Sequence, residues 1–105
     1  MKILFDQGVP VPLRLSLTGY EVSTAHEMGW FQLYNGDLLA AAESQFDVFI
    51  TTDKNLRYQQ NLTGRHLAIM VLPTTSWPVI QRHRSFVANA LQTLRVGEYR
   101  ELAFT

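Results

Sequence analysis

The sequence predicts an α/β domain built on a doubly wound, mainly parallel sheet of about five strands flanked by helices. Three observations predict it. Short runs rich in aliphatic and aromatic residues, at 2–5, 47–51 and 67–72, read as strands. The segments between them carry helical spacing with start and stop residues in place. The run at 67–72 (Leu-Ala-Ile-Met-Val-Leu) is apolar without alternation, as expected of a central parallel strand covered on both faces.

The elements follow in order. Residues 2–5 (Lys-Ile-Leu-Phe) form the first buried strand. Residues 9–18 fit two templates: Leu13, Leu15 and Leu17 alternate as in a strand, while Leu13 and Leu17 also stand one helical turn apart. Pro10 and Pro12 suit a helix start and Gly19 its end, and a crossover must return the chain, so this segment is read as a helix. Residues 20–24 (Tyr-Glu-Val-Ser-Thr) form a second, less buried strand. A loop with Gly29, Trp30 and Phe31 occupies 26–34. Asn35 is placed to cap a helix over 36–45, with Leu38, Leu39, Ala42 and Phe46 on its apolar stripe. Strands at 47–51 and 67–72 flank a short polar helix or turn at 55–61. Ser76, Trp77 and Pro78 begin the longest helix, whose apolar positions are Val79, Ile80, Phe86, Val87, Ala90, Leu91 and Leu94, and Gly97 stops it. Residues 98–104 alternate as a closing strand. Trp30 and Trp77 read as core anchors.

With 105 residues and 47% hydrophobic content, the chain makes one domain, 1–105, able to bury a core without staples. The absence of cysteine excludes disulfides, thiol catalysis and cysteine-bound zinc. No signal-like apolar region follows Met1-Lys2, and no run approaches the roughly 18 residues of a membrane span, so a cytoplasmic location is expected. Asn61-Leu62-Thr63 matches a glycosylation sequon, which has no meaning without secretion.

Net charge is zero, which argues against general nucleic-acid binding, but the charges are segregated. Residues 1–53 carry two basic and seven acidic side chains; residues 54–105 carry seven basic and two acidic ones. Either the halves pair across the fold, or an acidic site is flanked by arginines that hold a phosphate backbone.

Three aspartates are the candidates for chemistry. Asp6 ends the first strand, Asp53 follows the strand at 47–51, and Asp37 opens the helix at 36–45. Both strand-end carboxylates would emerge at the carboxyl edge of a parallel sheet, where such folds place ligands. Each also has a structural reason to be there: Asp6 as a helix cap or in a turn with Gly8, Asp37 as partner of a helix dipole, Asp53 as cap of the segment after it. Three converging carboxylates repel one another, and magnesium or manganese, bound through oxygen, is the usual remedy. His26, His66 and His83 share no metal-ligand spacing. No serine has a nucleophile context, and no glycine-rich phosphate loop is present.

The runs Met-Lys-Ile-Leu-Phe-Asp, Gly19-Tyr20-Glu21-Val22, Asn35-Gly36-Asp37-Leu38-Leu39 and, most specifically, Phe-Asp-Val-Phe-Ile-Thr-Thr-Asp-Lys-Asn at 46–55 resemble the small PIN-like domains of bacterial toxin–antitoxin loci. The resemblance covers nearly the whole chain in order. It implies a doubly wound fold, magnesium or manganese held by Asp6, Asp37 and Asp53, and hydrolysis of RNA phosphodiester bonds. It further implies that the Thr52 hydroxyl orients a carboxylate or a water, that Lys54 and Arg57 contact phosphate, and that an antitoxin protein and RNA are partners. One departure stands out. Members of this group commonly read Asp-Glu-Asn after the first strand, whereas this chain reads Asp6-Gln7-Gly8; glutamine can offer an oxygen but no charge.

The rival reading is a PIN-like module whose catalysis lapsed with Gln7 and which binds RNA or a partner. A receiver-like phosphoacceptor domain fits the position of Asp53, but lacks the paired acids after the first strand and a lysine after Leu72. A homodimer through the helix at 77–95 is a further expectation.

Overall fold

The computed structural model of the chain describes residues 1–59, 62 and 64–104; Asn61 and Thr63 of the sequon, and the end of the segment at 55–61, lie outside the described residues. Five strands form one all-parallel sheet: β1 (Lys2–Phe5), β2 (Glu21–Thr24), β3 (Val48–Thr51), β4 (Ala68–Val71) and β5 (Tyr99–Glu101), in the order β2-β1-β3-β4-β5. Phe5 pairs with Thr24 on one side and with Ile50 on the other, so β1, β2 and β3 end level with one another.

Alternation along the strands sends side chains into two apolar layers. Ile3, Phe5, Val48, Ile50, Ala68 and Met70 face one layer. The residues between them, Leu4, Phe49, Ile69 and Val71, face the other. The first layer is closed by Leu13 and Leu17 and by two C-terminal helices, α3 (Trp77–Arg82) and α4 (Arg84–Thr93), through Ile80, Val87 and Leu91. The second is closed by α1 (Asn35–Glu43) and α2 (Leu56–Gln59), through Leu38, Leu39, Ala42 and Leu56. Helical cover on both faces is the doubly wound arrangement expected from the sequence. Trp77 packs against the first layer and Trp30 against the second, where its ring meets Phe46 edge-on at 6.0 Å.

Local chemistry moved several boundaries. The segment at 9–18 is a 3-10 helix over Val11–Ser16 rather than an α-helix. Pro10 and Pro12 supply no N–H, and the bonds that form are short-range: Leu13 N–H to Pro10 O at 3.1 Å and Leu17 N–H to Arg14 O at 3.1 Å. Asn35 is the first residue of α1 and not its cap; Tyr34, with ψ 168, is the extended residue before it. The long C-terminal helix breaks at His83 (φ −112, ψ 17), where the ring Nδ1 lies 2.9 Å from Val79 O and the imidazole stacks on Phe104 at 4.3 Å. Helical geometry ends at Leu94, before Gly97. The closing strand shortens to three residues, although Leu102 N–H still bonds Val71 O at 2.8 Å.

Charges mostly pair locally. Arg14–Glu27, Arg57–Glu101 and Arg100–Glu98 each lie within one half of the chain, while Arg65–Glu43 joins the halves. Arg100 forks onto both Glu98 oxygens, at 2.9 and 3.0 Å, and also donates to Ala90 O and Thr93 O, so it ties β5 to the C-terminal end of α4. Among the described residues no helix is long and apolar enough to cross a membrane.

Candidate active site at the carboxyl edge of the sheet

The connection leaving β1 crosses the first apolar layer to β2, and the connection leaving β3 crosses the second to β4. The loops after β1 and β3 therefore diverge to opposite faces. In open α/β sheets this switch point is where ligands bind. Asp6 and Asp53 stand there.

Asp6 extends β1 by one bond, its N–H donating to Ile50 O at 2.9 Å. Its carboxylate is held at both oxygens: Thr51 Oγ1 donates to Oδ2 at 2.8 Å, and the Gln7 N–H donates to Oδ1 at 2.9 Å. Thr51 is wholly buried, and its hydroxyl also accepts the Asp53 N–H at 3.1 Å. One hydroxyl thus links the Asp6 carboxylate to the backbone of Asp53. The family resemblance implies such a task for Thr52; the hydroxyl that meets the Asp6 carboxylate is that of Thr51. Strand register decides it: Phe5 lies beside Ile50, so the next residue pair is Asp6 and Thr51. Thr52 Oγ1 instead sits against Gly8, in the space a side chain at that position would fill.

Asp53 opens α2. Its Oδ1 accepts the Asn55 N–H at 2.9 Å and its carbonyl accepts the Leu56 N–H at 3.3 Å, a helix-starting Asx turn. Lys54 follows, exposed, in the same turn. Arg57 reaches across α2 to β5, 3.4 Å from Glu101 Oε1 and 5.9 Å from the centre of the Tyr99 ring. A phosphate at Arg57 would compete with Glu101. Asp37 lies exposed in the first turn of α1, where its charge is favoured by the helix dipole alone. Among the described residues no three His, Asp or Glu side chains stand together as a metal-holding group. Thr51 therefore links the Asp6 carboxylate to the Asp53 backbone, while among the described residues the three aspartates do not meet as one metal-holding group.

Gln7 has a different part from the one its position suggests. Its Nε2 donates to Phe31 O at 2.7 Å and so fastens the loop after β2 to the loop after β1. A glutamate in that place, acceptor-only when ionised, could not make this bond. The signal was present in the sequence only as an amide where an acid was expected; its partner is 24 residues away. Between these loops lies an open pocket of ≈ 380 Å³, lined among others by Asp6, Gln7, Val11, His26 and Phe31.

The turn after β2 is braced by Glu27. Its carboxylate takes both Arg14 terminal nitrogens, at 3.1 and 2.7 Å, and the Thr24 N–H at 2.9 Å, while its own N–H donates to Thr24 Oγ1 at 3.0 Å. These bonds, that from Arg14 foremost, lower the Glu27 pKa below its ordinary 4.5. A depressed carboxylate contributes stability that is present above the unfolded value and lost as pH falls through the folded one. Glu27→Gln is therefore expected to lower stability at neutral pH and to converge with the wild type as the pH drops below about 4.5, measured by urea denaturation across the acid range. A difference that stays constant with pH would contradict this.

The donor set suits a hard cation. Asp6 and Asp53 offer carboxylate oxygens, and magnesium is commonly held by one or two carboxylates together with waters and substrate phosphate. Comparison of the chain with family models, with curated proteins and with solved structures gives no match.

Proposed function

We propose that this chain is a PIN-like, magnesium- or manganese-dependent ribonuclease, acting as the toxin half of a toxin–antitoxin pair in the cytoplasm. The observation that carries the reading is the Asp6–Thr51–Asp53 linkage at the β1/β3 switch point. Asp6 is the principal ligand, because Thr51 and the Gln7 N–H fix its rotamer before any cation arrives. Asp53 is the second, held by the turn that starts α2. Asp37 has the smallest share. Lys54 contacts the phosphate from the exposed turn, and Arg57 does so by exchanging Glu101 for it. When bound, the cation supplies a nucleophilic water at neutral pH and offsets charge developing on the phosphate oxygens. The antitoxin and a second copy of the chain are the protein partners implied by the family resemblance.

A test is RNA cleavage with magnesium or manganese by wild type and Asp53→Asn. The reading expects wild-type cleavage and at least a roughly tenfold loss in the variant, the scale of a disturbed metal environment. Equal cleavage by both, or none by the wild type, would overturn it.

Gln7 supports a second reading, a PIN-like module that binds RNA or a partner without cutting. It removes one charge from the site and devotes its amide to Phe31. Cleavage absent in the presence of manganese, with RNA binding retained, selects this alternative.

A further inference from the structure

The pocket beside Asp6 has an aromatic side that phosphodiester hydrolysis leaves unused. Phe31 is 49% exposed and Val11 52%, in a domain whose other large apolar side chains mostly close two tight layers. His26 and Phe31 approach with ring centres 5.5 Å apart but planes inclined by 43°. That is a tilted pair, unlike the parallel stack of His83 on Phe104 at 7°. The backbone that carries Phe31 is held: Gln7 Nε2 bonds Phe31 O at 2.7 Å, and the Trp30 N–H bonds Ala25 O at 2.8 Å. The result is a positioned aromatic platform next to a strand-end carboxylate.

We infer that this pocket is a subsite for an unpaired nucleobase of single-stranded RNA, stacked on Phe31. The proposal rests on the phosphodiester reading above and specifies its substrate. The volume of ≈ 380 Å³ falls in the range of small-molecule sites, roughly 300–1,000 Å³. Charge points the same way. The net charge is zero, and Arg14, Arg57, Arg65 and Arg100 are in ion pairs, that of Arg57 to be exchanged for phosphate. With Lys54 and Arg57 as the phosphate contacts, binding has a salt slope of about −1.4 or shallower on a single strand. Stacking must then supply the affinity, and a duplex, whose bases already stack on one another, offers none.

The experiment uses fluorescence anisotropy of a short fluorescein-labelled single-stranded RNA in EDTA, with the full chain as wild type, Phe31→Leu and Phe31→Trp. The leucine keeps an apolar side chain at this half-exposed site, so the fold is retained, but offers no ring face. Expected are wild-type binding with the shallow salt slope, a roughly tenfold loss in Phe31→Leu, recovery in Phe31→Trp and no competition by duplex RNA. No wild-type binding, equal binding by Phe31→Leu, a steep salt slope or equal competition by duplex would each overturn the subsite. Phe31-dependent binding in EDTA, together with no cleavage when manganese is supplied, overturns the ribonuclease reading alone.

Discussion

Asp6→Asn is expected to reduce metal-dependent RNA cleavage by roughly 100-fold or more, beyond the 10–100-fold typical of losing a group that only supports a ligand. The substitution keeps the shape of the side chain and removes its charge. The Gln7 N–H, at 2.9 Å from the carboxylate, can still donate to the amide oxygen, and the amide N–H can donate to Thr51 Oγ1 in place of the 2.8 Å bond, so the loop after β1 keeps its course. What disappears is the anionic oxygen pair at the switch point. The melting temperature should therefore move little while cleavage collapses. Parallel losses of stability and activity would assign Asp6 a structural role instead.

Gly97→Ala is expected to destabilise the fold by about 3 kcal/mol, a fall in melting temperature of roughly 10–20 °C for a domain of this size. Two costs combine. Gly97 has φ +73, and a side chain in that region costs about 1–2 kcal/mol. Its added Cβ would also press into the Arg65 carbonyl oxygen, which is backbone and cannot swing aside. The contact cannot open freely, because the Gly97 N–H bonds His66 O at 2.9 Å and the next residue carries the bond that starts β5, Ile69 N–H to Glu98 O at 2.7 Å. Displacing Gly97 therefore disturbs the register of β5 and the Arg100 clamp together. Gly29→Ala separates the two costs: its φ is +77 but no atom lies within 4 Å of its Cβ, so only the conformational part applies. Equal melting temperatures for the two variants would remove the contact from the explanation.

The sheet was legible in the sequence because its central strands, β3 and β4, are short, continuous apolar runs buried along their whole length. The positions of Asp6 and Asp53 at its carboxyl edge followed from strand ends alone. Features that depend on neighbours distant in sequence were not legible. Thr51 and Thr52 are the same residue type, and only the register of β1 on β3 tells which hydroxyl meets Asp6. Arg57 follows Asp53 closely in sequence, yet its turn brings it to Glu101, 44 residues later. Gln7 stands where an acid is expected, and nothing near it in sequence tells that its amide donates to Phe31 O. The break at His83 carries neither glycine nor proline, and the imidazole takes its place through Val79 and Phe104. The prolines at 10 and 12 signalled a helix start but not its type; the i to i+3 bonds from Leu13 and Leu17 make it a 3-10 helix.

The most direct test of the switch-point site is a manganese titration of wild type and Asp6→Asn, followed by calorimetry in the absence of RNA. A single saturable site in the wild type that is lost in Asp6→Asn is the predicted result. No binding by the wild type at millimolar manganese, or the same isotherm from both proteins, would contradict it.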